Sequence, residues 1–325
     1  MFSLLPPLQR DVDRVAVAVR QSLVSGEGLL AEAVNYLIEA QGGYARPILA
    51  LAAAYASQPS NELEPVNESV ITAAAAIELL NVGTLYQDDV IDHDSVRRGI
   101  QSANAKWGDG PAIIAGDHLM FSAISLSLEL GPVSARDLLD TAFALFRGEM
   151  KELEDCRNID RNEDEYFEAI SGKQASLIAT ACKLGAALSG AEASTIRALE
   201  KYGYELGLAG QIIDDIMDIT ASQEFLGKPV GSDLLGGIYT LPVIYALRDS
   251  KELQKIILAG VDATNLNDAK QLVISSGAIE EARQTARKHV RDGNAALGGV
   301  QLNPHVADVL SAFAEHMLTG ACWRE

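Results

Sequence analysis

Basic residues are scarce in this chain of 325 residues, because 26 Lys and Arg stand against 45 Asp and Glu and leave a formal net charge of −19. Nucleic acids and anionic membrane surfaces bind proteins through basic patches. The charge therefore excludes nucleic acid as an expected partner, and it gives no reason to expect attraction to an anionic membrane.

Cysteine is also rare. The three cysteines, Cys156, Cys182 and Cys322, are scattered, without a CxxC pair or a His-rich cluster. This leaves no pattern for a zinc site or a disulfide framework. The N-terminal segment lacks a basic region followed by an apolar run, and no stretch of about 20 apolar residues occurs. We therefore expect a cytoplasmic protein without a signal peptide or stable membrane insertion.

Strand-like alternation is nearly absent, and apolar residues recur at helical spacing instead, as at Ile71, Ala75, Leu79 and Val82. Pro, Gly, Asn and Asp collect at a few breaks, which separate helices longer than the average. With 48% hydrophobic residues, the chain can bury a large core. We expect an all-α fold in which residues 1–325 form a single domain, a bundle of long helices around a central cavity.

Two aspartate-rich segments repeat the spacing DDxxD, 126 positions apart and each within an apolar, helix-patterned stretch. We call them the first aspartate motif (Asp88, Asp89, Asp92) and the second aspartate motif (Asp214, Asp215, Asp218). On a helix the carboxylates of each motif lie within one turn of each other. Close carboxylates favour Mg²⁺, which keeps several waters and shares its shell with substrate phosphates. The alternative, two solvated acidic helix faces, fits poorly with the apolar flanking residues.

Four cationic residues stand out after the first aspartate motif. Arg97 and Arg98 come just after the first aspartate motif, Lys173 opens another apolar helix, and Lys228 lies in a Gly-rich loop ten residues after the second. Guanidinium and ammonium groups beside magnesium-binding aspartates indicate a diphosphate site. Such a site makes diphosphate a leaving group and leaves a carbocation in an apolar chamber. We expect most other acids, including the run from Glu149 to Asp155, to be solvated.

The ordered set DDxxD, RRG, Lys at a helix start, QxxDDxxD and GKPxGSDL resembles the trans-isoprenyl diphosphate synthases, also called polyprenyl synthetases. The resemblance runs from about Gly42 to Leu247 and is strongest to the bacterial long-chain members. It implies a fold of the isoprenoid synthase type and a homodimer. It also implies about three Mg²⁺ ions per site, bridging an allylic prenyl diphosphate to both aspartate motifs.

The resemblance also implies roles for individual residues. Lys173 and the six motif aspartates are the expected catalytic residues, and the aspartates are the expected metal ligands. Small residues at Gly83 and Thr84, one turn before Asp88, form the expected floor of the product chamber and imply a product longer than C15. The expected substrate-binding residues are Arg97, Lys173 and Lys228 for the allylic diphosphate, Arg46 and Arg98 for isopentenyl diphosphate, and Asn81, Gln174 and Gln211.

Four departures fall where isopentenyl diphosphate is expected to bind. Gly43, Tyr44, Asn81 and Gly210 stand where members of the family usually have Lys, Arg, His and Phe. Three functions therefore stay open. The first is transfer of the prenyl chain to isopentenyl diphosphate, giving a medium to long polyprenyl diphosphate. The second is conversion of a prenyl diphosphate to a terpene without isopentenyl diphosphate, and the third is a non-catalytic subunit of a heteromeric synthase.

Overall fold

The computed structural model describes residues 5, 7–23, 26–40, 42–59, 62–222 and 230–319. In these ranges the regular elements are helices, apart from one short hairpin, so the predicted all-α fold is confirmed. The first half contains α1 (Leu8–Gln21), α2 (Leu29–Glu39), α3 (Ala45–Ala56), α4 (Glu68–Ile91), β1 (Val96–Arg97), β2 (Ile100–Gln101), α5 (Ala103–Trp107), α6 (Asp109–Glu129) and α7 (Pro132–Glu154).

The second half begins with α8 (Glu163–Ile170), which continues through a π-helical turn (Ser171–Ala175) into α9. The helices that follow this turn are α9 (Ser176–Leu188), α10 (Ala193–Thr220), α11 (Ser232–Gly236), α12 (Leu241–Leu247), α13 (Lys251–Ala259), α14 (Leu266–Ser275), α15 (Ala278–Leu297) and α16 (Pro304–Met317).

Helix α4 is the centre of the bundle. Asn67 caps its N-terminus by accepting a hydrogen bond from the Val70 amide, which satisfies one of the donors left open at a helix start. The helix packs against α3, α6 and α9, and Ala73 to Ala76 are buried where these neighbours meet it. Because it is covered on several sides, α4 has no single apolar stripe, and its C-terminal end carries the first aspartate motif into the interior.

Helix α10 is the corresponding long helix in the second half of the chain. It packs against α9 and α15 and carries the second aspartate motif in its last two turns. One continuous cluster of buried apolar side chains extends from Leu5 to Met317. The two long helices therefore bring both motifs to one end of a shared core. The assignment of residues 1–325 to a single domain stays a prediction.

Two helices, α4 and α6, are long and apolar enough to cross a membrane by length and composition. Of the apolar window in α4, 78% is buried inside the molecule, compared with 39% in α6. The burial of α4 is that of a core helix. Helix α6 instead leaves large apolar side chains on the surface, including Ile114 and Phe121.

Candidate active site

A cavity of about 360 Å³ lies between the C-terminal ends of α4 and α10. The π-helical turn, the N-terminus of α3, the β1–β2 hairpin and α11 close its sides. It brings together twelve of the residues predicted from the sequence: Arg46, Asn81, Thr84, Asp88, Asp92, Arg97, Lys173, Gln174, Gln211, Asp214, Asp215 and Asp218.

The first aspartate motif divides between two environments. Asp88 and Asp92 line the cavity, whereas Asp89 is fully buried and does not. The Asp89 carboxylate accepts a hydrogen bond from Arg97 Nε at 2.5 Å. In this structure Asp89 therefore fixes an arginine and does not line the cavity, and its role as a metal ligand stays a prediction. The i, i+4 spacing of Asp88 and Asp92 puts both on the cavity face, and the intervening position turns away.

The second motif is similarly divided. Asp214 is exposed to the cavity, but both oxygens of Asp215 are occupied, by Tyr166 Oη at 2.6 Å and Gln211 Nε2 at 2.8 Å. Asp218 accepts hydrogen bonds from the Gly231 amide at 3.2 Å and the Ser232 hydroxyl at 3.1 Å. Two of the three carboxylates thus tie the end of α10 to α8 and to the loop before α11.

The carboxylates fit a hard cation that keeps other ligands. Burial raises the pKa of Asp88 to about 7, although nearby Lys173 lowers it. Burial also raises the pKa of Asp92. Across the described ranges, no three His, Cys, Asp or Glu side chains converge closely enough to hold an ion by themselves. A cation here must complete its shell with water and substrate oxygens, as Mg²⁺ does in phosphate sites.

The hairpin sends its two arginines in opposite directions. Arg97, on β1, lines the cavity and also pairs with Asp94 at 3.1 Å. Arg98 begins the tight turn, with φ of 53°, and its side chain points into the space between α2 and α4. There it donates to the Leu37 carbonyl at 2.7 Å and to Glu78 at 3.3 Å. Arg98 was expected to face isopentenyl diphosphate, but it does not line the cavity.

Lys173 lies on the π-helical turn and is held by two acids of α7. Its ammonium pairs with Glu149 at 2.8 Å and with Glu152. Although burial opposes its charge, Glu152 and Glu149 raise the pKa of Lys173, so it is cationic at neutral pH. The backbones come close because Gly148 and Gly172 meet, and a Cβ on Gly172 would lie 2.7 Å from Gly148 Cα.

The expectation of a solvated charge run at Glu149 to Asp155 is therefore wrong for its inner members. The side chains of Glu149 and Glu152 are only 17% and 14% exposed, and Glu152 lines the cavity. The i, i+3 spacing of these two acids, placing both on one helix face, is the signal that could have identified them. Tyr166, the donor to Asp215, carried no comparable pattern in the sequence.

The predicted isopentenyl diphosphate residues contribute little positive charge to the cavity. Arg46 lines it and donates to Gln174 Oε1 at 2.6 Å. Asn81 also lines it, and its side chain is hydrogen bonded to Glu78. Tyr44 precedes α3 with φ of 50° and brings no charge. Lys228 lies outside the described residues.

The two residues expected at the chamber floor also face different neighbours. Thr84 lines the cavity and a narrow crevice between α4 and α7, which Leu145 and Phe146 border as well. Gly83 faces α6 instead, and a Cβ there would lie 2.6 Å from Met120 Cγ and 2.9 Å from the Gly116 carbonyl. Gly83 therefore allows two helices to approach, and its placement does not support a floor position.

Comparison with known proteins agrees with this geometry. The family model described as polyprenyl synthetase matches residues 27–274. The chain belongs to the polyprenyl synthetase family. It is 33% identical over 288 residues to heptaprenyl diphosphate synthase component 2 of Bacillus subtilis (strain 168), covering 87% of this chain and 81% of that protein.

Two further relatives place the chain among prenyltransferases. The nonaprenyl diphosphate synthase of Mycobacterium tuberculosis (strain ATCC 25618 / H37Rv) is 37% identical over 240 residues, which are 74% of this chain and 70% of that one. The crystal structure of a polyprenyl synthase from Caulobacter crescentus CB15, complexed with calcium and isoprenyl diphosphate, superposes with a TM-score of 0.88. The two are 27% identical, and the alignment covers 96% of this chain and 95% of that one.

Proposed function

We propose that this protein ionises an allylic prenyl diphosphate with Mg²⁺ and transfers the prenyl chain to isopentenyl diphosphate, giving a medium to long trans-polyprenyl diphosphate. The observation that carries the proposal is the cavity at which carboxylates from the ends of α4 and α10 face Arg97 and Lys173. Acids from two helices with cations between them suit a magnesium diphosphate. Membership of a family that includes heptaprenyl and nonaprenyl diphosphate synthases supports it.

The reaction breaks the allylic C–O bond, and its electron pair leaves with the diphosphate. The terminal alkene carbon of isopentenyl diphosphate then bonds to the allylic carbon, and a proton is lost from the acceptor. Asp88, Asp92 and Asp214 would hold Mg²⁺, and the family resemblance implies about three ions per site. Bound metal would supply positive charge that stabilises the leaving diphosphate.

The chain's own cations complete this stabilisation. Arg97 is pre-oriented by Asp89 and Asp94, so little side-chain entropy is lost when it binds a diphosphate oxygen. Lys173 can exchange its contact with Glu149 or Glu152 for a phosphate oxygen, because it borders both the cavity, which Glu152 lines, and the adjoining crevice, which Glu149 lines. Tyr166 and Gln211 hold Asp215 in one orientation, which fixes the end of α10 that presents Asp214.

The prenyl tail would leave the cavity beside Thr84, through the crevice between α4 and α7. Leu145 and Phe146 give this route an apolar wall, and Thr84 is too small to end it. We therefore propose a product longer than C15.

The assembly proposed is a cytoplasmic homodimer. Large apolar side chains remain exposed along α6 and at the start of α7: Ile114 is 60% exposed, Phe121 75%, Leu128 65% and Val133 75%. An apolar face of this extent indicates a protein interface. A second copy of the chain would cover it by presenting the same face, as in a two-fold dimer.

A second function, terpene formation without isopentenyl diphosphate, is favoured by one observation. Arg98 is turned away from the cavity, and Gly43 and Tyr44 add no charge there. Among the described residues predicted to bind isopentenyl diphosphate, Arg46 is therefore the one that brings a positive charge to the cavity. A carbocation formed with no bound acceptor would react with its own double bonds. The double change Gly43→Lys with Asn81→His would then create elongation at the expense of hydrocarbon.

One experiment separates these functions. The purified protein is incubated with Mg²⁺ and C10, C15 or C20 allylic diphosphates, with and without isopentenyl diphosphate, and both longer diphosphates and volatile hydrocarbons are measured. Longer diphosphates that require isopentenyl diphosphate would support the proposed function, whereas hydrocarbons formed without it would support the second. If no allylic diphosphate is consumed, both are wrong and a non-catalytic role gains support. EDTA should abolish turnover and excess Mg²⁺ restore it.

A further inference from the structure

Arg161 is a buried cation near the cavity that the proposed chemistry does not use. It lies in the loop before α8, and its side chain is only 1% exposed. It does not line the active-site cavity, but a separate outer groove of about 820 Å³ between the start of α8, α12 and α13. A buried charge is costly unless it is paired. Asp155, at the end of α7, is its ion-pair partner at 3.4 Å.

One contact of Arg161 reaches the cavity wall at the start of α12. Its Nη1 donates a hydrogen bond to the Tyr239 carbonyl at 3.0 Å. The residues on either side of Tyr239, Ile238 and Thr240, both line the cavity. The arginine therefore holds the backbone of this wall from the side that faces the outer groove.

A second contact reaches the second aspartate motif. The guanidinium carbon of Arg161 lies 5.7 Å from the centre of the Tyr166 ring, within the range of a cation–π interaction. The Tyr166 hydroxyl donates to Asp215 at 2.6 Å. The charge of Arg161 acts on this tyrosine, and in a buried network a nearby cation polarises the hydroxyl into a stronger donor. Arg161 thus strengthens the hydrogen bond that orients Asp215.

We propose that Arg161 is a positioning residue for metal binding, because through Tyr166 and Asp215 it fixes the end of α10 that presents Asp214. The inference rests on the proposed function and names a residue outside the cavity on which its metal affinity depends. The planar guanidinium carries several donors in a rigid arrangement, so one side chain serves both the tyrosine ring and the wall at Tyr239.

The decisive measurement is the Kd of Mn²⁺ in the presence of inorganic diphosphate, followed by electron paramagnetic resonance, which does not depend on turnover. Arg161→Met removes the charge and keeps most of the side-chain length. We expect the Kd to rise about fivefold, the scale of weakening one hydrogen bond. Arg248→Met is the matched control, because Arg248 lines the same outer groove but is 46% exposed and pairs with Glu163 and Glu281. Its Kd should stay at the native value.

A double-mutant cycle tests the route through the tyrosine. Tyr166→Phe keeps the ring and removes the hydroxyl that holds Asp215, so its Kd should rise by a similar factor. Adding Arg161→Met to Tyr166→Phe should then raise the Kd little further. An unchanged Kd in folded Arg161→Met would overturn the inference, and so would an equal rise in both backgrounds.

Arg161→Lys serves instead if Arg161→Met does not fold, as judged by its melting curve. Lysine keeps the charge beside Asp155, but a single ammonium cannot replace the planar guanidinium at both Tyr166 and Tyr239. Its Kd should rise at least about twofold when Tyr166 is present and should not rise further in Tyr166→Phe. An unchanged Kd in Arg161→Lys overturns the inference.

The proposed function is judged separately, by consumption of allylic diphosphate in the native protein. Absence of any turnover would contradict the proposed function, while the Mn²⁺ comparison would still decide the role of Arg161.

Discussion

Asp88 and Asp214 each border the cavity from the end of a long helix, so they carry the strongest catalytic expectation at the scale of single residues. We predict that Asp88→Asn and Asp214→Asn each lower turnover by at least about 100-fold, the scale of losing one key electrostatic group. Initial rates at saturating Mg²⁺ measure this. Asp109→Asn, in the exposed first turn of α6, should keep the native rate. Near-normal turnover in either motif variant would refute the assignment of these ligands.

The raised pKa of Asp88, about 7, predicts how the metal-free protein responds to pH. An unfolded chain releases this proton near its ordinary pKa of about 4, whereas the folded chain keeps it until the pH approaches 7. The stability that this proton gives is fully present below about pH 4 and is lost as the pH rises through 7. In EDTA, the Tm should therefore fall as the pH rises from about 4 to about 7 and should level off above that.

Asp88→Asn supplies the control for this effect, because it removes the titrating group while keeping the shape of the side chain. Its Tm should fall less over the same pH interval, and added Mg²⁺ should raise the native Tm more at the higher pH. Equal pH dependence in the two proteins would show that Asp88 is not the group responsible.

At the scale of elements, the meeting of α4 and α7 defines the proposed tail route, and Thr84 stands at its entrance. We predict that Thr84→Phe shortens the products, because a ring placed there would block the crevice. Chromatography of the dephosphorylated products measures the chain length. Thr84→Ser, which keeps the small size and the hydroxyl, should leave the length distribution as it is. An unchanged distribution in a folded Thr84→Phe protein would move the route elsewhere.

The contact between α4 and α6 gives a different prediction for the adjacent residue. Gly83→Ala should lower the free energy of unfolding by about 1–3 kcal/mol, because the added methyl would meet Met120 and the Gly116 carbonyl in a packed interface. Denaturant titration measures the change, and the product length should stay native. Gly110→Ala in α6 is a suitable control, since nothing lies within 4 Å of the added atom and alanine favours the helix.

The sequence predicted the helices and both aspartate motifs well, because helical periodicity and carboxylate spacing are local properties. It could not separate Gly83 from Thr84 or Arg97 from Arg98. In each pair a difference of one position turns the side chain toward another neighbour, and only the packing of distant segments decides which neighbour that is. Arg98 is held by Glu78, twenty positions earlier, and by a carbonyl of α2.

The partner of Lys173 was missed for the same reason. Glu152 lies 21 positions before it, and the two meet only because α7 and the π-helical turn touch at paired glycines. A charged run in the sequence favours a solvated surface, and the close approach of two backbones reverses that expectation. The i, i+3 spacing of Glu149 and Glu152 is visible in the sequence, but their contact with Lys173 depends on long-range packing that a single sequence does not show.

At the scale of the whole molecule, the exposed apolar face of α6 and α7 predicts the assembly. Phe121→Glu should convert a dimer to monomers, because it places a charge at a side chain that is 75% exposed in the isolated chain. Light scattering during gel filtration measures the mass. Leu258→Glu introduces the same charge at a 72% exposed leucine on α13, outside this face, and should leave the mass native. A native mass for Phe121→Glu would contradict the proposed interface.

Four glycines at close backbone contacts would distort any survey of random substitutions in this protein. Gly148 and Gly172 meet each other, and Gly203 and Gly207 on α10 face α9 and the π-helical turn. At each of the four, a Cβ would lie 2.5 to 2.6 Å from the nearest backbone atom. In a screen for activity alone, substitutions at these glycines would be as harmful as substitutions at the motif aspartates. The screen would then assign the glycines wrongly to the catalytic centre. A parallel screen for cellular abundance separates the two groups: the glycine variants should disappear from the soluble pool, while the aspartate variants accumulate as inactive protein.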